Sequence, residues 1–437
     1  MSEAAQVLVV GAGLAGMSAA SALADSGISV RLIEQAPVIG GAVLRQALQG
    51  TDPRLHGPHQ DYGSRLITRM QQQRNIQVSR SCQFGGVDSD GRVLLVHSSQ
   101  GSHEMLQPRA LIVAVGATER IRPRPGWHLP GVMTAGSIQV GMKTSLTAPP
   151  GRIVLAGTGP LLLAVGAQMT RMGAPPLAIV EAANPLGRWH QALRLPFVYG
   201  LEAADYWLTL KRAKVPIWMQ SEVTDIAQQE AGLRIHVNTP KGIRIWDIDS
   251  LGLHDGIFPN DYGFSRSDHL IWRNAGDCHE ALGARAAAAH GELVANEIGA
   301  LLKPGSATVR PAALKRLERE RSAQALLKLV YQHDEKPMLD QLPLHTVICR
   351  CENRTLGDLK ALGEQPTVRE IRLLGRFAMG ACQGRFCGHW VQCLSGNEKK
   401  LSKSVLMAAH WPSRPLSIQG LVTTADHLGS NSLESVT

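Results

Sequence analysis

The stretch QVLVVGAGLAGMSAASALADSGISVRLIE, residues 6–34, decides the fold of this chain. A short apolar run leads into Gly11, Gly13 and Gly16 at the spacing G-x-G-x-x-G, and an alanine-rich helix and a second apolar strand follow, ending at Glu34. In such a βαβ unit the first glycine allows a tight turn, the second lets the backbone approach a pyrophosphate, and the third allows close helix–strand packing. The helix N-terminus also offers amides and partial positive charge to phosphates. The stretch therefore predicts a dinucleotide-binding Rossmann unit.

The residues after this unit indicate which dinucleotide it binds. Glu34 can accept hydrogen bonds from both ribose hydroxyls and would repel a 2′-phosphate, so NADP is not expected there. Two further features favour FAD over NAD. Gly41 and Arg45 follow Glu34 closely, and Asp277, in the sequence NAGDC, stands between a predicted strand and a long predicted helix.

These features resemble the two-dinucleotide-binding flavoproteins, in which an A-G-D sequence of this kind binds the ribityl chain. The sequence AVGAT (114–118) resembles the A-T-G turn of that superfamily. The predicted FAD-binding residues are Gly11, Gly13, Gly16, Glu34, Gln35, Gly41, Arg45, Gln83, Gly116 and Asp277. No residue qualifies as a catalytic base on its sequence context, because lone histidines such as His254 and His279 usually contact neither substrate nor flavin.

A second βαβ pattern spans residues 151–182 and departs from the first. Gly157 and Gly159 are present and Glu181 ends its second strand, but Leu162 takes the third glycine position. A leucine there pushes helix and strand apart, and Pro160 removes one amide that would face a phosphate. A structural relic or a site for another nucleotide, such as FMN, is favoured over a working NAD site.

Composition and charge exclude other classes of function. The 437 residues carry a net charge of +9, but the basic residues are scattered and no basic stripe interleaved with aromatics is present, so nucleic-acid binding is not expected. The N-terminus lacks a basic n-region, and no apolar run reaches the roughly 18 residues of a membrane span. We expect a soluble, cytoplasmic protein.

Four of the seven cysteines fall within 39 residues near the C-terminus: Cys349 and Cys351 in ICRCENRT, and Cys382 and Cys387 in ACQGRFCGHW. A reducing compartment argues against structural disulfides. Disulfide reductases of this fold carry a C-x4-C pair soon after the first βαβ unit, where this chain has no cysteine. A C-x-C pair is tight for two ligands of one tetrahedral zinc ion. Two pairs of thiolates suit a [2Fe–2S] cluster.

The module VICRCENRTLGDLKAL…GRFAMGACQGRFC resembles the [2Fe–2S] domain of bacterioferritin-associated ferredoxin. That resemblance implies that Cys349, Cys351, Cys382 and Cys387 are the cluster ligands. The whole chain resembles the large flavin subunits of heteromeric amino-acid and opine dehydrogenases, with PGWHLPGVMTAGSIQ (125–139) and GTGPLLLAVGAQ (157–168) close to the pattern of that family. One departure is that the segment between Trp246 and Trp272 is shorter than in the family.

The family resemblance implies an electron-transfer role. A partner (β) flavoprotein subunit would oxidise the C–N bond of an amino acid, imino acid or opine, and a small ferredoxin-like subunit is a further possible partner. FMN or another nucleotide could lie at the subunit interface. We therefore expect an exposed apolar patch for a hetero-oligomer, with 247–271 as one candidate contact. The alternative is a stand-alone NAD(P)H-dependent reductase that passes electrons through its cluster, which Leu162 argues against.

The predicted fold class is α/β, with two Rossmann-like units and a small C-terminal cluster domain. The predicted divisions are an FAD-binding domain at 1–118 and 245–305, a second nucleotide domain at 119–244, a helical connector at 306–345, a [2Fe–2S] domain at 346–395 and a tail at 396–437.

Overall fold

The computed structural model describes residues 6–97, 101–261, 266–304, 311–396, 411–413 and 416. Most of the predicted tail at 396–437, the first residues of the predicted connector and part of the shortened segment 247–271 lie outside the described residues.

The described residues form strands, helices and three short 3-10 helices. The strands are β1 (Val7–Val10), β2 (Val30–Ile33), β3 (Ile76–Ser79), β4 (Cys82–Val87), β5 (Val93–His97), β6 (Ser102–Leu106), β7 (Ala110–Val113), β8 (Ala117–Glu119), β9 (Val132–Thr134), β10 (Ile153–Gly157), β11 (Ala178–Glu181), β12 (Ile217–Met219), β13 (Glu222–Gln229), β14 (Gly232–Thr239), β15 (Gly242–Ile248), β16 (Ser250–His254), β17 (Ile257–Pro259), β18 (Ile271–Asn274), β19 (Val347–Cys349) and β20 (Arg354–Thr355). The helices are α1 (Leu14–Asp25), α2 (Gln60–Gln72), α3 (Ala135–Ser145), α4 (Pro160–Arg171), α5 (Trp189–Ala192), α6 (Phe197–Arg212), α7 (Ala284–Leu302), α8 (Pro311–Val330), α9 (Lys336–Asp340), α10 (Leu356–Lys360) and α11 (Gly388–Leu394). The 3-10 helices are Pro53–Leu55, Leu186–Arg188 and Gly276–Cys278, and Glu370–Leu374 is a π-helical turn.

The first sheet has the order β18-β7-β1-β2-β3, and all of its pairings are parallel. Strand β1 is central and wholly buried, as its unbroken apolar sequence predicts for a parallel strand covered on both faces. Helix α1 packs against α7, whose alanines allow the two helices to approach closely. The Rossmann-type α/β fold that residues 6–34 predict is confirmed.

The second sheet has the order β12-β11-β10-β16-β9 and is also parallel. It contains the second βαβ pattern as β10, α4 and β11. Strand β16 pairs with β10, so the chain stays in this unit beyond the predicted boundary at residue 245. After β16 the chain forms β17, which pairs with β8 in a separate two-stranded sheet. The chain returns to the first sheet at β18.

The connector and the cysteine module follow the two nucleotide units. Helix α8 packs against α7 and α5. The cysteine module, residues 346–396, has its own apolar core around Phe377 and Trp390. Two indole groups join this module to the segment that crosses between the units, because Trp390 Nε1 donates to the Ile121 carbonyl (2.7 Å) and Trp127 Nε1 donates to the Val347 carbonyl (2.6 Å). Within the described residues, no helix combines the length and apolarity needed to cross a bilayer.

A buried ion cluster lies beside this crossing segment. Arg122 and Arg124 are 0% exposed and Asp255 is 2% exposed. Asp255 Oδ2 accepts from the Arg122 backbone amide (2.8 Å) and from the Arg124 guanidinium (2.6 Å). Burial raises the pKa of Asp255, but the charges of Arg124 and Arg122 outweigh it and hold the pKa below its ordinary value. The carboxylate therefore stays ionised and pairs with the Arg124 guanidinium, while Glu222 pairs with the Arg122 guanidinium and supplies the second negative charge.

Asp255→Asn tests this cluster. The substitution leaves the buried Arg124 guanidinium without its carboxylate, whereas Arg122 keeps its ion pair with Glu222. Breaking a buried pair of this kind costs about 3–5 kcal/mol. We expect the melting temperature of the variant to fall by several degrees. Asp247→Asn is the matched control, because it removes an exposed carboxylate that pairs with Arg234. Equal melting temperatures for the two variants would contradict a stabilising role for the cluster.

Candidate functional site

The turn between β1 and α1 leaves room for a ligand. Gly11 has φ +99°, and a Cβ there would lie 2.5 Å from the Ala114 carbonyl oxygen. A Cβ at Gly16 would collide with the Gly11 carbonyl, so that glycine is required for packing of the helix on the turn. The first amides of α1 have no intrahelical partner and point out of the helix N-terminus. Gly13 faces Gly41, since a Cβ on Gly41 would lie 2.9 Å from the Gly13 Cα.

Glu34 is held at the end of β2. Its Oε2 accepts from the Ala12 amide and its Oε1 from the Ala36 amide, both at 2.9 Å. These two hydrogen bonds hold the carboxylate next to the glycine turn. A carboxylate in this place can still accept from ribose hydroxyls, because each of its oxygens has more than one lone pair.

Asp277 lies in the 3-10 turn between β18 and α7, as its position in NAGDC predicts. Its Oδ1 accepts from the Leu282 amide (3.0 Å) and the Gly283 amide (2.8 Å). Burial raises the pKa of this carboxyl. The two backbone bonds fix Asp277 at the start of α7, where its side chain borders the same space as Glu34.

A cavity of about 1400 Å³ joins these residues. Its lining includes the predicted residues Gly11, Gly13, Glu34, Gln35, Gly41, Arg45, Gly116 and Asp277. Gly16 lies behind the turn. Gln83 lies on β4 between Cys82 and Phe84, which line the cavity, whereas Gln83 is not among the lining residues, and its role stays a prediction. Arg45 Nε is buried and has no hydrogen-bond partner among the described residues, which suits an anionic ligand.

The sequence analysis missed one acid–base pair in this cavity. His254 Nδ1 lies 2.9 Å from Glu119 Oε1, and the Glu119 carboxylate accepts from the Gly136 amide. Glu119 and His254 are 135 residues apart, on β8 and β16, so no local pattern predicts the contact. His279 stacks on His290 instead, with 4.8 Å between ring centroids.

The four clustered cysteines lie beside one another in the folded module. Cys387 hydrogen-bonds to both Cys349 and Cys382, and Cys382 also hydrogen-bonds to Cys351. The bond with Cys387 lowers the pKa of Cys382 to about 5 and that of Cys349 to about 7, so these two thiols ionise readily. In the described part of the chain, no three His, Cys, Asp or Glu side chains converge on a point that would hold a single metal ion.

The cysteine module borders the cavity directly. Arg385 and His389, which flank Cys387, both line it. Arg385 Nε lies 3.3 Å from Asn260 Oδ1, and the ring centroid of Phe258 lies 4.8 Å from that of His389. The loop with the last two cysteines therefore forms part of the wall around the predicted flavin site.

Comparisons with known proteins agree with this architecture. The sequence profile of the pyridine nucleotide-disulphide oxidoreductase family matches residues 5–278. An opine oxidase subunit of Rhizobium meliloti (strain 1021) is 29% identical over 94% of this chain and 97% of its own length. The hydrogen cyanide synthase subunit HcnB of Pseudomonas aeruginosa is 28% identical over 87% of this chain and 90% of its own length.

Among solved structures, the L-proline dehydrogenase of P. horikoshii superposes with a TM-score of 0.63 at 17% identity, covering 96% of this chain and 79% of that chain. The likeness supports the fold. Together with the family match and the curated relatives, it supports an FAD-dependent oxidoreductase, as the glycine turn predicts.

Gly13→Asp tests the glycine turn as the flavin site. A carboxylate on this glycine would lie where the pyrophosphate approaches the backbone, so we expect loss of bound FAD from the purified protein, measured by its absorption near 450 nm. Gly141→Asp is the matched control, since Gly141 is exposed on α3 and a Cβ there meets nothing within 4 Å. Normal FAD content in the Gly13 variant would place the flavin elsewhere.

Proposed function

The chain belongs to the pyridine nucleotide-disulphide oxidoreductase family, and from this premise we propose that it is the FAD and [2Fe–2S] electron-transfer subunit of a heteromeric dehydrogenase. The complex would oxidise the C–N bond of an amino acid, imino acid or opine on a partner subunit. The observation that carries the proposal is the shared wall between the cavity and the cysteine module, where Arg385 and His389 flank Cys387 and line the cavity.

The N-terminal unit fits FAD by its backbone and by its charges. Gly13 and Gly41 let two chain segments approach each other closely beside the cavity, and the N-terminus of α1 and Arg45 would meet the pyrophosphate. Glu34 would accept from the adenosine ribose, and Asp277 from the ribityl hydroxyls. Val43 and Leu44 follow Gly41 where disulfide reductases of this fold carry reactive cysteines, so thiol exchange next to the flavin is not expected.

The cysteine module fits a [2Fe–2S] cluster by the chemistry of its donors. Cys349 and Cys351 come from one loop and Cys382 and Cys387 from another, which gives two pairs of thiols for two metal ions. The pKa is lowered at Cys349 and Cys382, whereas burial raises it at Cys351 and the hydrogen bond with Cys349 raises it at Cys387, so a bound metal would have to displace protons from the second two thiols. When bound, FAD would take up two electrons and the cluster would pass them on singly.

Side chains connect the cavity with the cysteine module. Phe258 lines the cavity and contacts His389, which lies two residues after Cys387. Arg385 donates to the Cys382 carbonyl (3.1 Å) while its Nε approaches Asn260 on the cavity side. These contacts run from the flavin side to Cys382 and to the helix that follows Cys387, so the chain would hold the two centres next to each other.

An apolar surface supports a protein partner. Large hydrophobic side chains are exposed at Leu186, Trp189, Leu193, Phe197, Leu201, Trp207 and Leu208, which we call the apolar segment. Phe197, Leu201 and Leu208 fall within one stripe of α6, since their spacing returns them to the same face of a helix. By contrast, within the described residues of 247–271, Ile257 is the one large exposed hydrophobic.

The most direct occupant of this surface is the second flavoprotein subunit. The curated relatives are themselves named as subunits, one of opine oxidase and one of hydrogen cyanide synthase. Arg194 and Arg212 are exposed at the two ends of α6. An antiparallel pairing of two copies of α6 would bring cations of like charge together, whereas a partner with an acidic rim would complement them.

The cluster can be tested by iron and sulfide analysis. After anaerobic purification we expect about two irons and two acid-labile sulfides per chain. Cys387→Ser should lose most of both, because it removes a thiolate ligand. Cys393→Ser is the matched control, because Cys393 lies in α11, the helix that follows Cys387, and this variant should keep them. One zinc ion and no iron in the unaltered protein would reverse the assignment.

The electron-transfer role can be tested by assaying the chain alone. With FAD and cluster intact, the purified protein is incubated with proline, hydroxyproline, octopine, sarcosine or glycine and an artificial electron acceptor. We expect no turnover, because substrate oxidation requires the partner protein. Dithionite should reduce the same sample, which shows that its cofactors are competent. Substantial turnover by the isolated chain would place the substrate site on this subunit.

A further inference from the structure

The second glycine turn lacks the donors that a dinucleotide needs. The Thr158 amide donates to the His254 carbonyl (2.7 Å), and the Gly159 amide donates to Glu181 Oε2 (3.0 Å). The next residue, Pro160, has no amide hydrogen and is the first residue of α4. Three successive positions that would face a pyrophosphate therefore offer it no free N–H group.

The first turn differs at each of these points. Its carboxylate, Glu34, accepts from Ala12, the residue before the second glycine, so the amide of Gly13 lies outside that bond. Its helix begins at Leu14, which keeps its N–H. Helix α1 rests on the turn through Gly16, whereas Leu162 fills the same position in α4 and is fully buried.

The end of the connector lies against one side of the second turn, and both line the cavity. The carbonyl oxygen of Tyr331, just after α8, lies 3.3 Å from Thr158 Oγ1, and the same hydroxyl donates to Glu181 Oε1 (2.7 Å). Burial raises the pKa of the Tyr331 phenol, and the charge of Glu181 raises it further. Burial also raises the pKa of Glu181 to about 7. The carboxylate that would accept from a ribose is enclosed by its own chain.

An arginine fixes the connector in this place. The Arg188 guanidinium donates to the Leu329 carbonyl (2.9 Å) and to the Gln332 carbonyl at the C-terminal end of α8. A cation at this end of a helix also stabilises the helix dipole. The carbonyl-rich end of α8 therefore lies against the turn, where a pyrophosphate would meet partial negative charge.

These residues do not fit a pyridine dinucleotide, and we propose that the end of the connector, residues 327–333, occupies the second nucleotide site and excludes NAD(H) and NADP(H) from this protein. Tyr331 and Pro160 then determine the electron donor, because the flavin can exchange electrons only through the protein partner or the cysteine module. This consequence for the donor rests on the proposed electron-transfer function, whereas the exclusion itself depends only on the residues around Thr158.

The first experiment is titration of the full chain with NADH and with NADPH. We expect no heat of binding by calorimetry up to millimolar nucleotide and no anaerobic bleaching of the flavin by either nucleotide, although dithionite bleaches it. Binding with a micromolar Kd, or bleaching by NADH, would overturn the proposal. Calorimetry on the FAD-loaded chain requires no electron transfer to the cysteine module or to a partner, so it tests the exclusion even where the proposed electron-transfer function fails.

The second experiment asks whether the connector is what covers the turn. Arg188→Ala should free the end of α8, and hydrogen exchange should then accelerate by about tenfold or more both in 327–333 and in the turn 157–162. Arg194→Ala is the matched control, because it removes an exposed arginine of the same segment. Acceleration in 327–333 with an unchanged rate in 157–162 would show that the connector does not cover the turn, and would overturn the proposal.

Discussion

The structure depends on one buried carboxylate, that of Asp255. It accepts from the backbone amide of Arg122 and from the guanidinium of Arg124 in a space from which water is excluded, and it is the carboxylate that offsets the buried charge of Arg124. The segment that crosses between the two nucleotide units is therefore fixed at its centre. Arg120, two residues before this pair, extends the same network by its ion pair with Glu335 beyond the connector helix.

The ion cluster also sets the geometry of the candidate site. Asp255 follows His254, so the bonds that fix the crossing segment also fix the strand end that carries the histidine into the cavity. Ile121 lies within the crossing segment and accepts from Trp390, the neighbour of His389. The distance between the flavin cavity and the cysteine loop thus depends on side chains that are buried and paired, which favours a constant separation of the cavity and the cysteine module.

The sequence predicts those parts of the site that are local. The glycine turn, Glu34 and Asp277 each lie within a few residues of a strand end, and strand periodicity and turn chemistry suffice to place them. The pairing of Glu119 with His254 and of Arg122 with Asp255 joins residues more than a hundred positions apart. Such contacts carry no spacing signal, because they follow from how the two sheets and the crossing segment pack. The end of the second unit could not be predicted from the sequence for the same reason. The residues of β16 are apolar enough for a buried strand in either sheet, and its pairing with β10 in the folded chain decides that it belongs to the second sheet.

The two glycine turns share a sequence motif but differ in whether they can bind a nucleotide. Both follow a buried parallel strand and both end in a glutamate, so their local folds are alike. Both turns line the cavity, but the first keeps backbone donors directed at it, whereas at the second a proline lacks the donor and a carboxylate and a distant carbonyl engage the neighbouring residues. The fold is therefore retained in both units because it supports packing, and the binding chemistry is retained only where donors remain open to a ligand. The name of this family implies a pyridine nucleotide. In this chain, however, the second nucleotide unit contacts the connector, and the connector leads into the cysteine module beside the flavin unit.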